Sequence, residues 1–526
     1  MGKIKLIEEK LEEKLNNEIL LIGTIMIVGL IFRIIITPWN LPSIAPDVII
    51  FFIEAFNFSH NNYDLFNSRF LWPYLLSIVF RIFEFNTYVE YVNLIRMISI
   101  GISILTIPLV YQIGKKFVEK KYSILIASFF AFSFQIIENS TWGITEPVFL
   151  LLSLSSLYFM LNYNSKYTIF SFILAGLAFD ARLNGIVILI IIIIGYSMKV
   201  RPKKKLFLII IVGLAMFTLI SIPHYYDFDS QTSPLISRVS GTVSGFENNI
   251  NPHLLQTAKI FFTDQQLDPN SKKFHEITHG EIYFLAIIKE MYHIILVNIQ
   301  FLIFLVPIGL LFIFKGRIWK EYLLILSIMI SIIIAIPQYT LSSEVRNLLL
   351  ILPFASIIAT IGIKNIIMKS QIKNIILLTI ILSIIISSVI VLYPHTDNEL
   401  ILEKERFGNY VSLNYSGKIT GDLLYHVENN LLDLTSIPIK HTQGNNIITE
   451  YSFFSILSEN QFIKYLKMNK ISYVIIDDEI DNRYPIFEEI FQNDKQYSYL
   501  TKVFDSGQDY NFVKIKIFKV NLENFK

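Results

Sequence analysis

The chain runs to 526 residues, of which 53% are hydrophobic and only 17% charged, against the quarter or so that a soluble globular chain carries. That deficit, with a mean hydropathy of +0.52, excludes an ordinary soluble protein; the absence of cysteine excludes disulfide and thiolate chemistry. A net charge of +2 favours no class of partner, and nothing in the chain asks for nucleic acid.

The first segment, 1–18, alternates Glu and Lys in a helix-prone pattern. It does not read as a signal peptide and is expected to lie on the cytoplasmic side. Continuous apolar runs follow, and stretches such as Ile186 to Gly195, Leu206 to Ile222 and Ile375 to Leu392 hold no charge at all. About 20 apolar residues cross the hydrocarbon as a helix. The pattern predicts about eleven transmembrane helices, near 19–37, 93–113, 123–138, 145–162, 167–180, 184–198, 206–223, 294–314, 321–338, 346–363 and 374–393. The expected class is therefore a polytopic α-helical membrane protein, its membrane domain covering 19–393.

Orientation follows from the basic residues. With the N-terminus inside, the inner segments collect Lys115, Lys116, Lys120, Lys121, Lys199, Arg201, Lys203 to Lys205, Lys315, Arg317, Lys320, Lys364, Lys369 and Lys373. The short outer segments hold Arg69, Arg81, Arg182 and Arg346. That asymmetry obeys the positive-inside rule, and Trp39, Trp72, Trp142 and Trp319 fall at expected span ends. Two outer loops are large. Loop 38–92 holds a stretch read as amphipathic, Val48 to Phe58, and an apolar piece, Phe70 to Phe83, expected to lie along the interface; the other loop is 224–293.

Beyond the last span, 394–526 changes to a mixed pattern expected to form a small exported α/β domain. Ser458 to Lys470 reads as a helix and Ile471 to Asp477 as a strand. Tyr499 to Asp505 and Asn511 to Val520 read as a hairpin turning through Ser506 and Gly507.

Ionisable residues gather at outer span ends: Asp47, Glu54, Asp64, Arg69, Glu146, Asp180, Arg182, Glu344 and Arg346. A charge deep in hydrocarbon costs about 2.5–3.5 kcal/mol, so such groups pair or serve function. The cations there are arginines, whose rigid fork suits phosphate, whereas the inner face is dominated by lysine. Structural readings stand beside each: Asp47 as a helix N-cap, Glu146 as a cap before Pro147, Arg346 as a snorkelling anchor, and Arg182 paired locally with Asp180. Arg33 and Arg96 lie inside apolar runs, where buried pairing or donor contact is expected.

Several local patterns resemble, in order, those of the GT-C glycosyltransferases, in particular the protein O-mannosyltransferase-like and aminoarabinose-transferase-like enzymes. Trp39-Asn-Leu-Pro-Ser-Ile-Ala-Pro-Asp47 resembles their first-loop acidic motif. Asn93 to Ser99 running to Lys116, Thr145-Glu146-Pro147, Ala175 to Gly185 with Arg182, and Glu344-Val-Arg346-Asn before Leu352-Pro353-Phe354 resemble later elements. The resemblance implies transfer of a hexosyl or pentosyl group from a polyprenyl monophosphate donor to an exported protein, lipid or glycan acceptor, at the outer face of the plasma membrane. It implies Asp47 as the catalytic base and Arg346, Arg182 and Arg69 as donor-phosphate ligands, with Glu146, Glu54 and Glu344 as further site residues. Direct attack would invert the anomeric centre. Asp47 is followed by Val48 rather than a second acid, which leaves a divalent cation open; the Trp-Trp-Asp element of oligosaccharyltransferases is absent.

Two rival classes remain at this level. A lipid-linked glycan flippase or polymerase subunit would account for the spans and arginines but not for an exported domain. A zinc metalloprotease would use His275-Glu276-Ile-Thr-His279, which matches His-Glu-x-x-His, although Gly280 follows at once and is poor for a helix.

Overall fold

The computed structural model describes residues 17–42, 45–62, 71–162, 165–200, 203–220, 302–316, 318–342, 345–392, 399–421, 423–432, 434, 447–450, 459–477, 485–492, 497–507, 514–521 and 523. Segment 1–16, the whole of loop 224–293 with His275, Glu276 and His279, and residues Asp64, Arg69 and Glu344 lie outside them.

The helices of the membrane region are α1 (Glu18–Ile36), α2 (Pro46–Ser59), α3 (Leu71–Phe80), α4 (Tyr88–Gly114), α5 (Lys120–Ala131), α6 (Phe134–Trp142), α7 (Glu146–Asn162), α8 (Ser165–Ala181), α9 (Ile186–Lys199), α10 (Lys203–Ile220), α11 (Leu302–Gly316), α12 (Trp319–Ser342), α13 (Ile351–Ile367) and α14 (Lys373–Leu392). Among the described residues each expected span overlaps a helix, 123–138 across the break between α5 and α6. Among the described residues α1, α4 and α14 are individually long and apolar enough to cross a bilayer. Helices α5 and α6 pass that test together as one bent element, with 50° between them. Apolar side chains such as Ile27, Ile35, Leu105 and Ile390 point outward, as lipid-facing positions do.

A buried arginine holds the α5–α6 bend. Arg33 donates to the carbonyl of Ala131 at the end of α5, to Ser140 Oγ on α6, to Ser103 Oγ on α4 and to Gly29 O. Its partners are carbonyls and hydroxyls, so the guanidinium satisfies backbone that the break leaves open.

Helix α2 departs from expectation. Val48, Phe51, Phe52, Ala55, Phe56 and Phe58 are all buried, and so are Glu54 and Asn57 on the other side. A helix covered on every face is a core element, not an amphipathic one. Its aromatic rings pack against α4 and α3, with Phe52 edge-on to Tyr88 at 4.8 Å and tilted against Phe80 at 6.1 Å. Helix α3, ten residues and roughly 15 Å long, is too short to cross. Beyond it Arg81 donates to Phe58 O and Asn61 Oδ1, satisfying the end of α2. Helix α4 opens on a capping box formed by Thr87 and Glu90.

Farther along, α15 (Glu399–Asn414), β1 (Gly417–Gly421), α16 (Leu424–Asn429), β2 (Ile447–Glu450), α17 (Glu459–Asn469), β3 (Tyr473–Asp477), α18 (Pro485–Gln492), β4 (Leu500–Asp505) and β5 (Ile515–Val520) build an α/β unit. The sheet runs β2-β1-β3-β5-β4, parallel across β2, β1 and β3 and antiparallel across β3, β5 and β4. The helix at 459–469, strand β3 and the β4–β5 hairpin are where the hydropathy pattern put them. Phe462, Leu466, Val474, Ile476, Phe487 and Phe518 form a core on one side of the sheet. Phe407, Val411, Leu424, Ile475 and Ile517 form one on the other. Helix α16 of this unit packs against α2.

Candidate active site

Four separate turns bring charge to one point. The first lies at the start of α2, where the N-cap is Ala45 and makes no side-chain cap. Pro46 fits the first helical turn because its missing N–H has no partner there anyway. Asp47 therefore sits inside the first turn, with the positive end of the helix dipole behind it. Arg346 Nη1 stands 2.9 Å from Asp47 Oδ2.

Arg346 belongs to a 3₁₀ turn, Val345–Leu348, between α12 and α13. Its Nε lies 3.7 Å from Glu146 Oε1, so one guanidinium faces two carboxylates. Glu146 opens α7 just ahead of Pro147, and the same Oε1 accepts a hydrogen bond from Arg182 Nη1. Asp47, Arg346, Glu146 and Arg182 thus form one row of alternating charge. It runs inward: Asp47 and Arg346 are 20% and 14% exposed, Glu146 and Arg182 1% and 9%.

The turn bearing Arg182 depends on a glycine. Arg182 is in extended conformation between α8 and the 3₁₀ turn Leu183–Gly185. A Cβ at Gly185 would lie 2.3 Å from the backbone nitrogen of Phe179, so the chain folds back onto α8 only with hydrogen at that position.

The loop leading to Asp47 is fixed from α4. Fully buried Arg96 donates to the carbonyls of Pro38 (2.8 Å), Leu41 (2.7 Å) and Pro42 (2.9 Å). Asn93 adds contacts to Asn40, whose backbone is left-handed at φ 62°. The turn before Glu146 is held likewise: Trp72 Nε1 on α3 donates to Gly143 O at 3.2 Å. Beneath Glu146 lies a small cavity lined by Ser103, Thr106, Asn139, Glu146 and Leu349 among others.

Of the residues that the sequence put forward, Asp47, Glu146, Arg182 and Arg346 meet. Glu54 is buried two turns further along α2. Asp180 is buried at the end of α8. Arg96 enters not as a donor ligand but as the clamp on the first loop, a role that needs carbonyl partners and leaves no acidic partner to find in the sequence. Among the described residues no group of three His, Cys, Asp or Glu side chains could hold a metal ion. The two acids of the row face guanidinium groups instead, a donor set that fits a divalent cation poorly.

No protein-family model and no curated protein matches the chain in sequence. Solved structures do match in shape. Archaeal oligosaccharyltransferase AglB from Archaeoglobus fulgidus, in complex with an inhibitory peptide and a dolichol-phosphate, superimposes with a TM-score of 0.57 at 12% identity, over 96% of this chain and 75% of that one. Its complex with Zn and sulfate gives 0.56 at 13% identity, over 87% and 68%.

The chain has the GT-C fold. ArnT from Cupriavidus metallidurans, in the apo state, is similar at a lower TM-score of 0.49 and 8% identity, over 95% of this chain and 97% of its own. At such identities the likeness shows the fold alone, and leaves sugar and acceptor to the chemistry of the site.

Proposed function

We propose that this GT-C chain is a membrane glycosyltransferase that takes a sugar from a polyprenyl monophosphate at the outer face and passes it to an exported acceptor. The observation that carries the reading is the Asp47–Arg346 pair, a carboxylate beside a phosphate-suited fork, at an accessible end of a buried charged row. AglB, similar in fold, has been captured with a dolichol-phosphate. The reading includes about eleven crossings with the N-terminus inside and an exported α/β unit from residue 394, whose helix α16 rests on the Asp47 helix.

Chemically, Asp47 takes the proton of the acceptor hydroxyl as that oxygen bonds to the sugar C1. The bond from C1 to the phosphate oxygen breaks, and its electron pair stays on the polyprenyl phosphate. Attack opposite the leaving group inverts C1. Arg346 balances charge developing on the leaving oxygen, and Arg182 adds a second positive charge from behind Glu146. A positioned base contributes about 10²–10⁴-fold.

The test is transfer of radiolabelled sugar from a panel of polyprenyl-phosphate donors by purified protein in liposomes. Wild type is expected to release label from lipid, and Asp47→Asn to lose that activity while melting normally. Full activity in Asp47→Asn, or label that crosses leaflets without leaving lipid, would overturn the assignment.

A further inference from the structure

The accessible end of the row is already occupied by its own partner. A carboxylate that accepts a hydrogen bond from a guanidinium is a weakened base, and a guanidinium held by a carboxylate is a poorer ligand for phosphate. Asp47 and Arg346 therefore neutralise each other at 2.9 Å in this structure. Arg346 has a second anchor, because its Nε faces Glu146 Oε1 at 3.7 Å, and a shift of about 1 Å turns that approach into a hydrogen bond. Glu146 cannot follow Asp47 outward, being 1% exposed and tied to Arg182.

Resting on the transferase reading, we propose that the lipid-linked phosphate takes the place of Asp47 on Arg346, with Glu146 retaining the guanidinium as Asp47 is released. The base then becomes competent only once the donor is seated. Charge bookkeeping supports the exchange. The row holds two carboxylates and two guanidiniums; an arriving phosphate supplies the negative charge that Arg346 loses with Asp47. Freed of its cation, Asp47 gains proton affinity where an acceptor hydroxyl must give up a proton. Glu146 is in this scheme a positioning residue that acts through Arg346.

The experiment measures binding of a polyprenyl monophosphate without sugar to the full-length protein in nanodiscs, so that affinity is separated from transfer. Removing a competitor should tighten binding: Asp47→Asn and Asp47→Ala are expected to bind about tenfold tighter than wild type, the factor that one charge-assisted hydrogen bond represents. Glu146→Gln removes the same unit of charge and is expected to bind no tighter. If that variant does not fold, Asp47→Glu, which keeps a carboxylate on Arg346, serves as the untightened control. Inorganic phosphate should show the same order of variants at much weaker affinity; free phosphate binding better than the lipid would assign the site to a soluble anion and overturn the proposal. Equal or weaker binding by Asp47→Asn, or an equal gain in Glu146→Gln, also overturns it. Those outcomes leave the transferase reading standing wherever wild type transfers sugar. A wild type that neither binds the lipid nor transfers from any donor removes that reading itself.

Discussion

The membrane region and the α/β unit handle charge in opposite ways. In the α/β unit ionisable groups pair near home: Glu405 of α15 with His426 of α16, and Lys502 with Asp505 on one strand. Hydrophobic clusters flank both sides of its sheet, with Thr420 and Asp477 buried on the strands between them. In the membrane region Asp47, Glu146, Arg182 and Arg346 come from four turns far apart in the chain and meet in one row. Burying charge there is costly and rarely improves stability over apolar packing. On the function proposed above, the row is kept for what it does, whereas the pairs of the α/β unit are local supports.

The sharpest way to break this contrast is to remove half of the inner pair. Arg182→Met leaves Glu146 buried without its closest cation, and a loss of about 3–5 kcal/mol is expected, read as a lower melting temperature in detergent. Replacing both, Glu146→Leu with Arg182→Leu, should restore most of the stability and none of the transfer. If the double variant melts as early as the single one, the pair is a structural necessity and the contrast fails. Next in size is Arg96→Lys. An ammonium cannot reach three carbonyls at once as the guanidinium does. Misplacing Asp47 by about 1 Å should lower kcat about 10²-fold with little change in KM; an unchanged kcat would free the loop from any role in aiming the base.

A smaller effect is expected at Gly185→Ala, where a methyl group meets the α8 backbone 2.3 Å away. The cost should be about 1–3 kcal/mol, with Arg182 displaced and transfer reduced further than stability accounts for. A variant as stable and active as wild type would show that the turn has room to move.

These residues also mark what could be read in advance. Asp47, Glu146, Arg182 and Arg346 were legible because a charge at a span end is costly enough to signal a partner or a task. Which of them touch was not legible, since that depends on how α2, α7, α8 and the 3₁₀ turn at Val345–Leu348 converge. Arg33 and Arg96 stood out as buried cations, but their acceptors are mostly carbonyls, and a carbonyl carries no residue type. Val48 to Phe58 reads as amphipathic because Glu54 and Asn57 interrupt its apolar residues, yet both are buried among α2's apolar neighbours. In the α/β unit the β4–β5 hairpin was visible because its pairing is local, while β1 and β2 pair through a long crossover that leaves little local pattern.

The weakest expected effect tests the other side of the contrast. Burial pushes the Asp505 carboxyl up, but the Lys502 ammonium at 2.9 Å and the Gly507 N–H at 3.2 Å outweigh it and hold the group below its usual range. A carboxyl depressed by folding adds stability above its unfolded pKa of about 3.9 and loses that contribution as pH falls through the folded value. The pair is well exposed and screened by solvent, so Asp505→Asn should cost under about 1 kcal/mol at pH 7, seen as faster hydrogen exchange along β4 and β5. The difference from wild type should shrink as pH is lowered below 3.9 or so, and with added salt. Transfer should be unaffected, because the described residues of this hairpin pair with β3 and with each other. A variant that loses transfer while its hairpin exchanges normally would tie the α/β unit to the chemistry through more than the packing of α16 on α2.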